Sequence, residues 1–352
     1  MIFFSVPSVG QLKPETLFGN DDHFGFIQTL IGEEYLRADI REKCCKYYEK
    51  TNERYWDQII TLINFLSIKK LDSNNRFSHT PLLDFIAEQY DGGNKLASKI
   101  LFDYLLCQWQ FPHPINTKQT PIKDSKLDLD VQNPRKNFPF FKPYALVLSI
   151  LKKLSENQSD SAYITPEEFY WLGYAYYKNN GTGFETEFAE DLTQKLLSIR
   201  NSGGWKDFEK IKDFDETKTH LSYPKGFLRN SSLLTDENLF FNTEKEIYIG
   251  LKPEYISDTS TLNLMIKASS TSIFEFDRSK SPNNLEFDYS NYIYNTDRIN
   301  DWLKFVKLYP NNKDIFNTIP ISIEEFDEAT YERLKIQNQL NRLSILDKQS
   351  VT

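Results

Sequence analysis

A short hairpin set between helical segments is the feature that most constrains the fold of this chain. Apolar side chains recur at helical spacing over 54–67, which predicts a helix that ends where the hairpin starts. Two short segments, 68–71 and 76–79, flank an Asp-Ser-Asn-Asn turn, which is typical of a tight connection between strands. Thr80 and Pro81 then start another helix, because Thr is a favoured cap and Pro is tolerated at the first helical position.

Later parts of the chain repeat this pattern of helices followed by strands. A capping box over 165–168 starts one helix, and a second helix is predicted over 185–200, which favours a helix-turn-helix pair. Residues 226–229 end a further helix, and strands are predicted at 239–241 and 247–249. The sequence therefore predicts a mainly α protein with small β-hairpins, built from tandem winged-helix-like units and a C-terminal helical segment.

The pattern divides the chain into six segments. A Pro- and Asp-rich stretch without periodicity separates the first two units, and a capped helix with an apolar seam lies at the C-terminal end, where it packs on the chain's own core or docks on a partner. The segments are the lead-in 1–30, winged-helix-like unit 1 over 31–112, the surface loop 113–141, helix-turn-helix-like unit 2 over 142–204, winged-helix-like unit 3 over 205–300, and the C-terminal helical segment 301–352.

Charge and composition exclude several classes of protein. Lys plus Arg is 42 and Asp plus Glu is 50, a net charge of −8, which excludes a uniformly basic nucleic-acid coat but leaves room for a local basic face. Aromatic residues make up 15%, too many for a disordered chain. The three cysteines, Cys44, Cys45 and Cys107, form no disulfide framework and favour a reducing, cytoplasmic compartment. No apolar stretch approaches the roughly 20 residues that a membrane helix needs, so no membrane partner is expected.

Basic side chains cluster on two predicted surfaces of the first unit. The first set shares one helical sector, because its members are spaced three, four and four residues apart, and the second set surrounds the hairpin tip. Both sets suit phosphate binding, and a solvated amphipathic face with internal ion pairs is the alternative. The sets are Lys43, Lys46, Lys50 and Arg54 on the helix, and Lys69, Lys70, Arg76 and His79 at the hairpin.

The second helix of unit 2 is a candidate recognition helix. Its residues Gln194, Lys195, Arg200 and Asn201 are expected to be exposed. Gln and Asn pair bidentately with adenine, and Arg pairs bidentately with guanine. These residue types are therefore suited to contact base edges in duplex DNA.

One string has the spacing of a nuclease metal site. Asp207 precedes Glu216-Thr217-Lys218, and in such sites the carboxylates hold a divalent metal while the Lys stabilises charge. The string lies in a charged stretch without a strand pattern, where a solvated loop is the alternative. The four histidines are scattered, and no CxxC string occurs. We therefore expect no catalytic residue, no metal site and no cofactor in this chain.

Two stretches resemble a known family. They are Leu-Leu-Cys-Gln-Trp-Gln-Phe-Pro at 105–112, and the apolar, lysine-paired helix at 142–154 followed by Ile-Thr-Pro-Glu-Glu-Phe at 164–169. Together they resemble the DNA-recognition region of AlwI-like type IIS restriction and nicking endonucleases, and Phe-Leu-Arg at 227–229 resembles the third recognition subdomain of that family.

This resemblance implies a specificity component of a type II restriction system, and double-stranded DNA as its ligand. In the family a separate catalytic domain follows the recognition region, whereas here only a helical segment follows. The resemblance then implies that other restriction subunits carry the nuclease, and that the cleaving assembly uses Mg²⁺. Three alternatives stay open: a complete restriction endonuclease with a divergent metal site, a non-catalytic DNA-binding regulator, and an interaction scaffold that never touches DNA.

Overall fold

A computed structural model of the chain describes residues in two compact units. The N-terminal unit contains the described residues between 35 and 79 together with 288, and the central unit contains those between 103 and 280. The described residues are 35–47, 49, 68–70, 76–79, 103, 106–107, 109–110, 140–157, 162–178, 186–204, 225–226, 228–229, 231–241, 243–257, 259–270, 273–277, 280 and 288.

The N-terminal unit contains a three-stranded antiparallel sheet and one described helix. Strand β1 (Tyr35–Leu36) leads directly into helix α1 (Arg37–Tyr47), and strands β2 (Ile68–Lys70) and β3 (Arg76–His79) form the hairpin that the sequence predicts. The strand order is β1-β3-β2, with Tyr35 opposite Phe77. The sequence predicts a helix from residue 33 towards residue 53, but the described helix begins only at Arg37, because Tyr35 and Leu36 pair with β3.

The core of the central unit is built around helix α2 (Pro143–Asn157). Eight apolar side chains of this helix and its first proline are buried, so the helix is covered on most sides, as its apolar sequence predicts. It packs against helix α4 (Thr186–Asn201) and helix α6 (Thr259–Ser270).

Local hydrogen bonds set the ends of the next two helices. Helix α3 (Pro166–Lys178) begins with the predicted capping box. The backbone N–H of Glu168 donates to Thr165 Oγ1 at 3.2 Å, and the backbone N–H of Thr165 donates to Glu168 Oε2 at 2.9 Å. Helix α4 ends at Asn201, one residue beyond the predicted end, and Gly203 and Gly204 follow it with φ angles of +83° and +122°, which favour glycine.

A second three-stranded antiparallel sheet lies in the central unit. It consists of β4 (Tyr163–Ile164), β5 (Leu234–Thr235) and β6 (Ile249–Leu251), in the order β4-β6-β5. The prediction of a strand over 239–241 is wrong, because Asn238–Phe240 forms a 3-10 turn. The side chain of Asn238 bonds the backbone of residues 245 and 247 and so takes the place of a strand partner.

Two helices were missed by the sequence pattern, α5 (Pro253–Ser257) and α6. Helix α6 buries Leu262, Met265 and Ser269 on one side, but Ser, Thr and Asn residues interrupt its apolar spacing. Among the described residues, the fold is thus mainly helical with small antiparallel sheets, as predicted.

Several predictions fall outside the described residues. They are the lead-in 1–30, the helix at 54–67, the helix that starts at Thr80, nearly all of the loop 113–141, and the C-terminal segment with its apolar seam of Ala329, Ile336, Leu340 and Leu343. Within the part of the chain that the structure describes, no helix is both long and apolar enough to span a membrane.

Candidate nucleic-acid interface

The two sheets share one topology. In the N-terminal unit, β1 precedes α1 and pairs with β3, the second strand of the hairpin. In the central unit, β4 precedes α3 and pairs with β6, the second of two later strands. The sequence analysis assigned residues 163–164 and 249–251 to separate units, 142–204 and 205–300, yet these residues are the neighbouring strands β4 and β6 of one sheet. The α3–α4 pair and the β5–β6 strands therefore form one structural unit.

Helix α1 carries part of the predicted basic stripe on its surface. Lys43 and Lys46 are exposed, and so is Glu42 beside them. Cys44 is buried and faces inward, as its position on the other side of the helix predicts. Burial, and then the neighbouring Cys45 thiol, raises the pKa of Cys44 to about 12, so this thiol is a packing group. Lys50 and Arg54 lie outside the described residues.

The residues of the second predicted basic set lie on the two strands of the hairpin. Lys69 and Lys70 belong to β2, and Arg76 and His79 belong to β3. The register pairs Lys69 with Ser78 and places Ile68 opposite His79. The four residues are thus brought together on adjacent strands, a few residues from the turn that the sequence predicts.

Helix α4 presents a surface on which polar side chains bond to neighbouring acids. Gln194 is exposed and donates from Nε2 to Glu190 Oε1 at 3.2 Å, and Lys195 Nζ lies 2.6 Å from Asp191 Oδ2. Lys153 of α2 also donates to Glu190 and, as the main cause, lowers the pKa of that carboxyl. Asn201 is exposed at the end of the helix.

Arg200 is of intermediate burial and not exposed, so the prediction that it is exposed is wrong. Its side chain is 10% exposed, and that of its partner Glu168 is 4% exposed. Nε and Nη2 donate to the two oxygens of Glu168, Nη2 also donates to the Tyr163 carbonyl oxygen at 2.6 Å, and the guanidinium lies over the Tyr163 ring. Burial acts to lower the pKa of Arg200, but the bonds and charge of Glu168 outweigh it and the pKa is raised. Arg200 therefore holds α4, α3 and β4 together.

The β5–β6 loop, residues 236–248, is a surface feature that the sequence pattern missed. Leu239 and Phe240 are 75% and 40% exposed. Residues 236–246 contain four acidic residues, Asp236, Glu237, Glu244 and Glu246, and one basic residue, Lys245, a net charge of −3. Part of this acidity was readable from the sequence, but the predicted strand at 239–241 hid the exposed apolar pair.

A buried polar cluster joins four segments of the central unit. Asp103 accepts hydrogen bonds from the backbone N–H of Ser232 at 2.9 Å and from the Ser232 hydroxyl. Lys142 Nζ donates to the carbonyl oxygen of Cys107 at 3.5 Å, and the Cys107 thiol donates to the Met265 carbonyl oxygen at 3.7 Å. Asp103, Cys107 and Lys142 are at most 1% exposed. The cluster lies in the core and ties it together, and it includes residues of both stretches that carry the family resemblance.

No cluster of His, Cys, Asp and Glu side chains suited to a metal occurs in the described ranges. Asp207, Glu216 and Lys218 lie outside those ranges. A comparison of the chain with protein-family models, with curated proteins and with solved structures found no match.

Proposed function

We propose that this chain is the DNA-recognition component of a type II restriction system, which binds specific duplex sequences and enables their cleavage by other subunits. The observation that carries the proposal is the strand order shared by both units, β1-β3-β2 and β4-β6-β5. In a winged helix, a short strand ahead of the helical pair joins a later hairpin as its third strand. Two such units in tandem suit the reading of an extended DNA site.

The N-terminal unit is the better placed of the two for duplex DNA. In a helix-turn-helix the first helix crosses the phosphate backbone, and the second enters the major groove. Helix α1 occupies the first position and exposes Lys43 and Lys46, which suits phosphate contacts. The segment 54–67, predicted to be helical, lies between α1 and the hairpin in the sequence, where a recognition helix belongs.

In the central unit, α4 occupies the recognition position. Gln194 and Asn201 are exposed amides that can pair with adenine edges. Glu190 and Asp191 weaken phosphate binding there, so this unit contributes base selection more than affinity. The nuclease and its Mg²⁺ belong to other subunits of the assembly in this proposal.

Selection of duplexes from a random pool by the purified chain tests the proposal. We expect a selected sequence that binds at least about a thousandfold more tightly than random duplex at the same salt concentration. Equal affinity for selected and random DNA, or no binding at low salt, would overturn it.

Two controls separate the alternatives. Cleavage of the selected duplex by the isolated chain with Mg²⁺, lost in the variants Glu216→Ala and Lys218→Ala, would show a complete endonuclease. Binding at one promoter, with no change in restriction of foreign DNA after deletion of the gene, would show a regulator. We expect neither result.

A further inference from the structure

The β5–β6 loop holds two apolar side chains in solvent on a rigid support. The side chain of Asn238 bridges the loop, since Nδ2 donates to the Lys245 carbonyl oxygen at 3.2 Å and Oδ1 accepts from the Ile247 N–H at 3.2 Å. Thr243 Oγ1 accepts from the Lys245 N–H at 3.1 Å. These bonds fix the 3-10 turn that carries Leu239 and Phe240, so the exposure of both side chains is built into the loop.

The base of the loop is also anchored in the core. Phe241, next to the exposed pair, is 6% exposed, and its ring lies 5.4 Å from that of Tyr163. Its ring also packs closely against Gly250 of β6. Because the loop is already held in one conformation, it loses little conformational entropy when a partner binds, and this favours affinity.

The negative charge of the loop makes DNA an unsuitable ligand for it. A DNA-binding wing presents Lys and Arg to phosphates, because neutralised phosphates release counterions. Here residues 236–246 carry a net charge of −3. Lys225 pairs with Asp236 at 3.5 Å, and counting this lysine leaves a net charge of −2. Glu237, Glu244 and Glu246 are exposed around the apolar pair and would face phosphates in a groove.

The same features suit a protein ligand. A protein interface is commonly centred on an aromatic or aliphatic side chain that fills a pocket of the partner and is surrounded by a polar rim. Among the described residues, the other large apolar side chains that are exposed are Leu36 and Tyr47, which lie in the N-terminal unit. Leu239 is the most exposed of the four, and it is adjacent to Phe240.

We propose that the β5–β6 loop is a docking surface for a protein partner with an apolar pocket and a basic rim. The pocket takes Leu239 and Phe240, and Lys or Arg side chains of the rim pair with Glu237, Glu244 and Glu246. The inference rests on the proposed function only for the partner's role, as a subunit of the restriction assembly.

A random peptide library displayed on phage, selected against the full chain, tests this chemistry. Counter-selection uses the full-length double variant Leu239→Ser, Phe240→Ser. We expect selected peptides to combine apolar residues with Lys or Arg, and to bind the double variant about thirtyfold more weakly. The charge variant Glu244→Lys, Glu246→Lys should also weaken them. Peptides without basic residues, no enrichment over the counter-selection, or equal binding to the charge variant would overturn the proposal.

Two further measurements on the double variant test whether the loop instead binds DNA or a second copy of the chain. The double variant should melt within a few degrees of the wild type and bind the selected duplex within about twofold of it, whereas a tenfold loss of DNA affinity would make the loop a DNA wedge and overturn the proposal. Analytical sedimentation compares the oligomeric states of the two proteins. If the wild type is a dimer and the double variant is a monomer, the loop mediates self-association and the proposal is overturned. If the chain binds no duplex at all, the proposed function fails while the peptide selection still decides the role of the loop.

Discussion

Arg200 and Glu168 form a bidentate ion pair inside the central unit, with Nε 2.8 Å from Oε1 and Nη2 2.9 Å from Oε2. Glu168 also caps helix α3 through its bond from the Thr165 N–H, and Arg200 lies in the last turn of α4. A single carboxylate thus connects the start of one helix to the end of the next. This connection orients the helical pair against strand β4.

Removing Arg200 should destabilise the fold strongly. In Arg200→Ala the carboxylate of Glu168 stays almost fully buried without its partner, which costs about 3–5 kcal/mol of unfolding free energy. Urea unfolding of the full chain measures the loss. Lys195→Ala, which removes an exposed ion pair on the same helix, is the control and should change stability by less than about 1 kcal/mol. Equal effects of the two changes would contradict the structural role of Arg200.

Replacing the exposed lysines of α1 should weaken DNA binding through electrostatics alone. If Lys43 and Lys46 each contact a phosphate, the double change to Ala lowers the slope of log affinity against log salt by about 1.8. Fluorescence anisotropy at several salt concentrations measures this slope. Lys267→Ala on α6, also an exposed lysine, is the control with an unchanged slope. An unchanged slope in the double variant would leave α1 as a solvated face.

Adding a methyl group at Gly250 should disturb the second sheet. A Cβ there would overlap the Phe241 ring and lie 3.0 Å from the Ala162 carbonyl oxygen. We expect Gly250→Ala to lower the free energy of unfolding by about 1–3 kcal/mol, as overpacking of a core does. Gly226→Ala is the matched control, because nothing lies within 4 Å of its added Cβ. A stability loss at residue 226 as large as that at residue 250 would be inconsistent with this packing.

The buried thiol of Cys107 should make the chain less stable in alkaline solution. Burial is the main cause that raises its pKa from 9.0 to about 12. The unfolded chain therefore loses this proton above pH 9 while the folded chain keeps it, so stability is complete below pH 9 and declines as the pH rises towards 12. Between pH 8 and pH 10, ionisation of this thiol in the unfolded chain lowers the free energy of unfolding by about 1.4 kcal/mol.

Cys107→Ala isolates this effect. The variant is less stable at pH 8 because it leaves a small cavity, but its stability should fall less steeply than that of the wild type up to pH 10. Chemical denaturation at both pH values measures the difference. Parallel declines in the two proteins would show that Cys107 ionises in the folded chain as it does in the unfolded one.

Local patterns predicted several elements correctly. The capping box of Thr165 and Glu168, the apolar helix α2 and the hairpin of β2 and β3 were all readable, because each depends on residues a few positions apart. Helix α6 was missed since its buried face combines Leu262 and Met265 with Ser269, a residue type that gives no apolar signal. The roles of Arg200 and of the loop residue Leu239 had no local signal at all.

The sequence by itself determined the mainly helical character of the described chain, the start of α3, the end of α4, and the exposure of Lys43 and Lys46 on α1, because helical spacing and capping bonds act within one or two turns. Only the tertiary structure decided that the Arg200 side chain is no more than 10% exposed, that β4 pairs with β6, and that Gln110 bonds the backbone of Phe274 across 164 residues. The physical reason is that these contacts join segments far apart in the chain. An exposed and a buried arginine have the same local pattern, and only the partner brought to it by the fold distinguishes them.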